Sequence, residues 1–274
     1  MPRARRKIAF VLAASDHGAM IVNRFDYLRT GNDAAIGVGY QILEHSSYEA
    51  SEIETVLRLL DLRRQYHGAG VIAVDCGANI GVYSVEWARH MNQWGEVLAI
   101  EAQERIYYAL AGNLALNNCF NARALHAAVS NTVGTMRVPQ PDYLAPGSFG
   151  SLELRQTDTT EFIGQSIDYQ GRLAEVQTLT LDSLGLSRLD LLKIDVEGME
   201  IEVLEGARGL IESQRPIIIA EYLKTDRQRL TALLSRWGYR QFTLGLNVVA
   251  VHEADRAGAH VSVREAAQPQ GGSS

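Results

Sequence analysis

Asp75, Gly77, Asn79 and Gly81 stand within VIAVDCGANIGVYS (71 to 84), where an apolar run ends in an acid and passes through two glycines into a helical pattern. A strand that turns through glycines into a helix lets a ligand approach the backbone where helix N-terminal N–H groups are unpaired. Three ligand classes use such a turn. The phosphate cradle Gly-x-x-x-x-Gly-Lys-Ser/Thr is excluded, because Val82-Tyr83-Ser84 follows Gly81 and supplies no lysine. The dinucleotide fingerprint Gly-x-Gly-x-x-Gly is weakened, because Asn79 stands where close pyrophosphate approach calls for glycine. The pattern Asp/Glu-x-Gly-x-x-x-Gly remains. It suits S-adenosylmethionine, whose ammonium and sulfonium groups favour an acid at the strand end. Glu101 ends the next strand, 20 positions beyond Gly81, at the offset where a carboxylate accepts from ribose hydroxyls. Glu101 supports an adenosine ligand and, taken with Asp75, argues against a plain turn in which the acid only caps and the glycine only permits a positive φ.

A second group of acids lies in LDLLKIDVEGME (189 to 200) and RPIIIAE (215 to 221). Asp195 and Glu221 end apolar strands, and Glu197 sits with Gly198 in the turn before a helix. Ligands of open α/β sheets bind outside the carboxyl ends of the strands, so Asp75, Glu101, Asp195 and Glu221 are expected on one rim. Methyl transfer to a hydroxyl requires the attacking oxygen to lose its proton, which calls for a positioned base or a metal ion. Asp195, Glu197 and Glu221 are the expected catalytic acids, serving as base, as acceptor for the substrate hydroxyl, or as oxygen ligands of Mg²⁺ or Ca²⁺. For each, helix capping or an ion pair with Lys193 or an arginine is the competing role. His126 and His252 fall at expected strand ends, from which either could face the site.

These residues need a frame that brings strand ends together, and the chain supplies one. From Val71 onward, short β-rich runs alternate with helical patterns, the signature of βαβ units and a largely parallel sheet. VIAVD, GEVLAIEA, ARALHAAVS, VQTLTLDSL, LDLLKID and RPIIIAE read as strands, with helices after the first two, over about 199 to 213 and over about 225 to 237. GYRQFTL and NVVAVH form a closing antiparallel pair. VSNTVGTMRVP reads as a hairpin around Asn131 to Gly134, and 139 to 175 as a substrate-covering or partly disordered insertion. Residues 1 to 70 form an extension that packs on the core and ends in a helix over about 48 to 65, opened by a Ser46/Glu49 capping box. The core domain runs from 71 to 252, and 253 to 274 reads as loosely ordered.

The chain has 274 residues, 46% of them apolar, enough for one large α/β domain. A net charge of −6 with mixed signs leaves no phosphate-tracking stripe, so nucleic acid is not an expected partner. Cys76 and Cys119 have no zinc or disulfide spacing, which fits a reducing, cytoplasmic compartment. The basic start MPRARRK before Ile8 to Ala14 has the look of a signal peptide. Seven apolar residues cannot span a bilayer, and the run reads as a first strand behind a basic tail, with no membrane span expected elsewhere.

With these residues in hand, the chain resembles the FkbM-type family of S-adenosylmethionine-dependent methyltransferases. DCGANIGVYS, AIEA, NLALNN, AVSNTVG, LTLDSL, LLKIDVEGMEIEVLEGA and RPIIIAE carry the resemblance, in order, over about residues 48 to 251. The resemblance implies the class I methyltransferase fold, Rossmann-like and three-layered, with a seven-stranded, mostly parallel sheet and an antiparallel final strand. It implies S-adenosylmethionine held by Asp75, Gly77, Ala78, Asn79, Gly81 and Glu101, with Asp195, Glu197 and Glu221 at the reactive end. It also implies O-methylation of a hydroxyl on a glycan or a small secondary metabolite. Ala102-Gln103 departs from the family, which usually has proline after the acid. A nicotinamide-dependent oxidoreductase and a non-catalytic nucleoside-binding module are the alternatives on such a sheet.

Overall fold

The computed structural model describes residues 7 to 31 and 34 to 261. An antiparallel hairpin, β1 (Phe10–Ser15) and β2 (Gly18–Asn23), leads through the short pair β3 (Leu28–Arg29) and β4 (Ala35–Ile36) into helices α1 (Val38–His45) and α2 (Ala50–His67). The core then alternates β5 (Val71–Cys76), α3 (Val82–His90), β6 (Gly95–Glu101), α4 (Glu104–Leu116) and β7 (Ala122–His126). Three strands follow outside that rhythm: β8 (Ala128–Val129), β9 (Gly134–Pro139) and β10 (Leu173–Leu179). The alternation resumes with β11 (Leu191–Ile194), α5 (Glu200–Gly206), α6 (Arg208–Gln214), β12 (Ile217–Glu221), α7 (Arg227–Arg236), β13 (Tyr239–Leu244) and β14 (Asn247–His252).

The central sheet has seven strands in the order β13-β14-β12-β11-β5-β6-β7. Its pairs from β12 to β7 are parallel, and β14 runs antiparallel to both β12 and β13, as the expected fold requires. The chain leaves β5 toward β7 and returns to β11 on β5's other side. The ends of β5 and β11 therefore flank the switch point where such sheets bind ligands.

Strands buried on both faces read as continuous apolar runs, and alternate residues serve opposite layers. Val71, Ala73, Val97, Ala99, Leu191, Ile217 and Ile219 pack with α2, α3 and α4. Val74, Cys76, Leu98, Ile100, Leu192, Ile194 and Ile218 pack with α5, α6 and α7. The result is three layers, with Asp75 and Lys193 in register opposite each other on the α2/α3 face.

The extension is bolted to this core by polar groups. Asn113 of α4 accepts from the Ile21 amide at 2.6 Å and donates to its carbonyl at 3.2 Å, and Asn117 does the same to Ala19 at 3.2 and 2.9 Å. Each amide side chain thus mimics a neighbouring strand and closes the edge of β2. Arg63 of α2, 4% exposed, pairs with buried Asp190 and Asp255.

Several expected elements differ. Ser46, with φ 59°, ends α1, a helix not expected from the sequence; Glu49, with φ 46°, precedes α2 and neither side chain caps it. No Ser46/Glu49 capping box forms. β8 and β9 do not pair with each other, because β10 lies between them, parallel to β8 and antiparallel to β9. Val138 and Val176 meet in a small core with Ala128, which draws β10 to this three-stranded sheet instead of the central one. Residues 140 to 172 are the long connection of that β9–β10 pair. The helix expected over 199 to 213 breaks at Ala207, where the Asp182 carboxylate accepts from the Gly209 and Leu210 amides and starts α6 afresh. Residues 253 to 261, expected to be loose, are tied down by Asp255 on Arg63 and by His260 on the Tyr66 hydroxyl at 2.6 Å. The remainder of that tail, and the basic residues before Lys7, lie outside the described residues.

Candidate functional site

A cavity of about 430 Å³ opens at the carboxyl ends of β5, β6, β11 and β12 and the amino end of β14. Asp75, Gly77, Ala78, Asn79, Glu101, Asp195, Glu197 and Glu221 all line it. Gly81 does not. It stands at the start of α3 with φ 87°, and a β-carbon there would lie 2.5 Å from the Leu110 side chain, so its glycine serves helix packing.

The β5 turn is built for close approach. Gly77 has φ 78°, and Asn79 takes the left-handed region at φ 50°, a conformation asparagine tolerates better than most residues. The Asn79 amide donates to Glu101 Oε2 at 2.9 Å and the Gln103 amide to Oε1 at 2.8 Å. Glu101 thereby sews the turn to the end of β6, and each oxygen keeps a second lone pair for a hydroxyl donor. Burial pushes its carboxyl up to about 7, against the pull of these backbone amides. Asp75 Oδ2 accepts from the Ser84 hydroxyl at 2.6 Å, while its Oδ1 is buried with no hydrogen-bond partner among the described residues. An orphaned carboxylate oxygen on a buried acid facing a cavity fits a cationic ligand group, and S-adenosylmethionine carries two.

Gln103, at the departure from the family pattern, is 7% exposed. Its Nε2 donates to the Phe149 carbonyl at 2.8 Å, and its Oε1 accepts from the Tyr143 hydroxyl at 3.0 Å. The chain thereby has a side-chain clasp on the 140-to-172 segment. The segment is ordered around buried Phe149, Leu152 and Ile163, and its Ser148, Gly150, Ser151 and Leu152 form part of the cavity wall.

At the other end, Asp195, Glu197 and Glu221 each bring a carboxylate oxygen within 4.8 Å of the other two. Two of them hold lysines. Lys193 Nζ lies 2.8 Å from Asp195 Oδ2 and 4.8 Å from the centroid of the Tyr83 ring; Lys224 Nζ lies 2.7 Å from Glu197 Oε2. Burial works against the Lys193 ammonium, but Asp195 and Asp75 more than offset it and hold it above its usual range. Glu197 adopts φ 55°, rare outside glycine, and Gly198 follows at φ 98°; burial and then Asp195 push the Glu197 carboxyl up to about 8. Glu221 is pushed up to about 8 by the same two causes, and its Oε2 is buried without a partner among the described residues.

Four further lining residues carry no site role in the sequence reading: Glu49, which precedes α2, Glu52 of α2, Tyr83 of α3 and Asn247 of β14. The Tyr83 hydroxyl contacts Glu49 Oε2 at 2.6 Å and Glu52 Oε1 at 2.7 Å, and Asn247 Nδ2 donates to the same Glu52 oxygen at 2.9 Å. One phenol proton serves one carboxylate, so the second short contact calls for a proton on an acid. Burial raises Glu52 for that part. Asn247 is the register partner of Glu221, a pairing visible only once β14 is known to run backwards. The same reversal removes His252: it ends β14 at the opposite rim, where its Nδ1 accepts from the Ala254 amide at 3.1 Å. His126 stacks on Tyr107 at 5.2 Å with Nε2 3.1 Å from the Ala102 carbonyl. Neither histidine lines the cavity.

Residues 75 to 241 match the model of the Methyltransferase FkbM domain. The chain belongs to the FkbM methyltransferase family. It is 33% identical over 188 residues to Methyltransferase sdnD of Sordaria araneosa, covering 61% of this chain and 72% of that one. Among solved structures it is similar to Methyltransferase FkbM from Methylobacillus flagellatus KT, at 16% identity and a TM-score of 0.45 over 67% of this chain. This chain spans 44% of that structure's length. It is also similar to precorrin-6y C5,15-methyltransferase from Geobacter metallireducens GS-15, at 13% identity and a TM-score of 0.44 over 76% of this chain and 90% of that one. S-adenosylmethionine is the cofactor that membership implies, and the orphaned Asp75 oxygen and the Glu101 lone pairs fit it. The FkbM match contains both acid groups but not α2, so Glu49 and Glu52 lie outside the matched region. Among the described residues, no helix is long and apolar enough to cross a membrane.

Proposed function

We propose that this FkbM methyltransferase methylates a hydroxyl oxygen of a small molecule or glycan, with Glu221 taking the hydroxyl proton. The observation that carries the reading is Glu221 Oε2, buried, without a partner among the described residues, and beside Asp195 at the cavity. S-adenosylmethionine supplies an electrophilic methyl group on sulfonium and leaves as the neutral thioether. Asp75, Gly77, Ala78, Asn79 and Glu101 would hold it, with Glu101 able to accept from ribose hydroxyls.

The other residues divide the remaining work. Lys193 fixes Asp195 by an ion pair at 2.8 Å, so Asp195 orients the acceptor hydroxyl by accepting its hydrogen bond. Lys224 holds Glu197 in its strained turn. Glu221 has no lysine within ion-pair distance, and a carboxyl pushed up to about 8 has the basicity an ionised general base needs near neutral pH. Mg²⁺ or Ca²⁺ would compete for the same three acids. The two ammonium groups already supply positive charge there, which favours metal-free proton transfer.

Calorimetry tests the cofactor, and labelled methyl transfer tests the reaction. S-adenosylhomocysteine should bind and NADH should not; the reverse result overturns the reading in favour of a nicotinamide oxidoreductase. Incubating cell extract and glycolipid fractions with labelled S-adenosylmethionine should yield a labelled species whose methyl resists base hydrolysis, as an ether does. A chain that binds cofactor and labels nothing is a non-catalytic module.

A further inference from the structure

The cavity's lining combines acids with exposed aliphatic side chains. Around the cofactor and acceptor ends the lining carries Glu49, Glu52, Asp75, Glu101, Asp195, Glu197 and Glu221 against Lys193. Three aliphatic side chains line the same cavity yet remain open to solvent: Ile36 at 45%, Leu223 at 52% and Leu246 at 53% exposure. They come from three separate segments, β4, the β12–α7 connection and the β13–β14 turn.

Leu246 is the most telling of them. Leu244 pairs with Asn247, so Gly245 and Leu246 form a two-residue hairpin turn. Such turns select glycine, asparagine and aspartate, and Gly245 at φ 57° fits while an exposed leucine gains nothing there from the fold. The turn is also held in place. The Tyr222 amide donates to the Leu246 carbonyl at 3.2 Å and the Tyr222 hydroxyl to the Gly245 carbonyl at 3.1 Å, which sets Leu223, the next residue, beside the turn. Two half-exposed leucines thus stand at the rim of a cavity that also holds seven acids, a placement that stabilises the free protein little and favours an apolar ligand surface.

Resting on the methyl-transfer reading, we infer that the acceptor is amphipathic. Its hydroxyl-bearing polar end meets the lining acids, and an aliphatic portion joined to that end lies on Leu223 and Leu246, facing Ile36. A fully polar free sugar or sugar phosphate would leave these side chains in water, and a phosphate would meet the lining acids unfavourably. The aliphatic contact raises affinity for the acceptor without touching the cofactor residues.

Methyl β-glucoside and octyl β-glucoside, the latter below its micellar concentration, are titrated into the protein saturated with S-adenosylhomocysteine. One fully buried methylene is worth roughly fourfold in affinity. A chain resting on a half-open rim is therefore expected to bind about tenfold or more tightly than the methyl glycoside. The double variant Leu223→Ser with Leu246→Ser should bind S-adenosylhomocysteine as the wild type does and lose the preference for the octyl chain. Equal binding of the two glycosides, no binding of either, or a preference that survives in the double variant overturns the amphipathic acceptor and leaves methyl transfer standing. Failure to bind S-adenosylhomocysteine overturns both.

Discussion

A β-carbon on Gly77 would lie 1.8 Å from the carbonyl oxygen of Asp195, so the turn after β5 and the strand end that carries the acceptor-side acid are in direct backbone contact. The turn proposed to hold the cofactor and the rim proposed for catalysis are packed backbone to backbone. Gly77→Ala must push them apart and also hold alanine at φ 78°, a combined cost of about 3 kcal/mol or more. Urea denaturation should register that loss, and any folded fraction should bind S-adenosylhomocysteine at least tenfold more weakly.

Glu221→Gln keeps the shape of the side chain and removes its basicity. The catalytic rate should fall by roughly 10²- to 10⁴-fold, the usual range for a lost general base, while affinity for S-adenosylhomocysteine stays within about twofold. In the wild type the rate should climb with pH through about 8, as burial and Asp195 dictate for this carboxyl. A variant that retains full activity, or a wild-type rate flat from pH 6 to 9, would remove Glu221 from the proton transfer.

Glu101 sets a pH trend in stability. Its carboxyl moves from 4.5 to about 7 on burial, so between those values the folded state holds a proton that the unfolded chain has released. That contribution is complete below pH 4.5 and is lost as pH rises through 7. Glu197 and Glu221 act with the same sign up to about 8. The melting temperature of the cofactor-free protein should fall between pH 5.5 and 8, and the fall should be smaller in Glu101→Gln. The same variant should bind S-adenosylhomocysteine about tenfold to a hundredfold more weakly, through lost charge-assisted bonds to ribose.

Asn113 is fully buried and closes β2 while also donating to the Ile80 carbonyl at 2.8 Å. Asn113→Ala strands three backbone groups and should cost about 3 kcal/mol. Limited proteolysis should then cut between residues 8 and 31 before it cuts the core.

Methyl transfer is expected to persist in excess EDTA, because Lys193 and Lys224 already neutralise two of the three clustered acids. Loss of activity on chelation, with recovery on adding Mg²⁺ or Ca²⁺, would reassign Asp195, Glu197 and Glu221 as metal ligands.

Which parts of this molecule could be read from its sequence follows from where information about each part resides. The central strands were legible because burial on both faces demands unbroken apolar runs, and a terminal acid on such a run can only be at the rim. Asp75, Glu101, Asp195 and Glu221 were found that way and do meet at one cavity. Glu49, Glu52 and Asn247 were hidden because their place depends on how distant elements dock, and no local spacing encodes it. Ser46 misled because Ser-x-x-Glu also arises where one helix ends in a left-handed residue shortly before the next begins. β10 was legible as a strand but not in its choice of partners, which rests on Val138 and Val176 meeting across 38 positions of chain.

The segment from 140 to 172 is fastened at its middle. Gln103 grips Phe149 from the adenosine side, Asp26 accepts the Phe149 amide, and Lys224 donates to the Ser151 carbonyl at 2.8 Å from the acceptor side. The flanks add further ties, among them the Ser148 amide on the Ile163 carbonyl at 2.7 Å and the Tyr143 hydroxyl on Gln103 at 3.0 Å, and leave residues 155 to 159 exposed. A segment riveted at its middle and tied at its flanks offers its exposed stretch, 155 to 159, as the place where length or sequence can change with least disturbance to the wall.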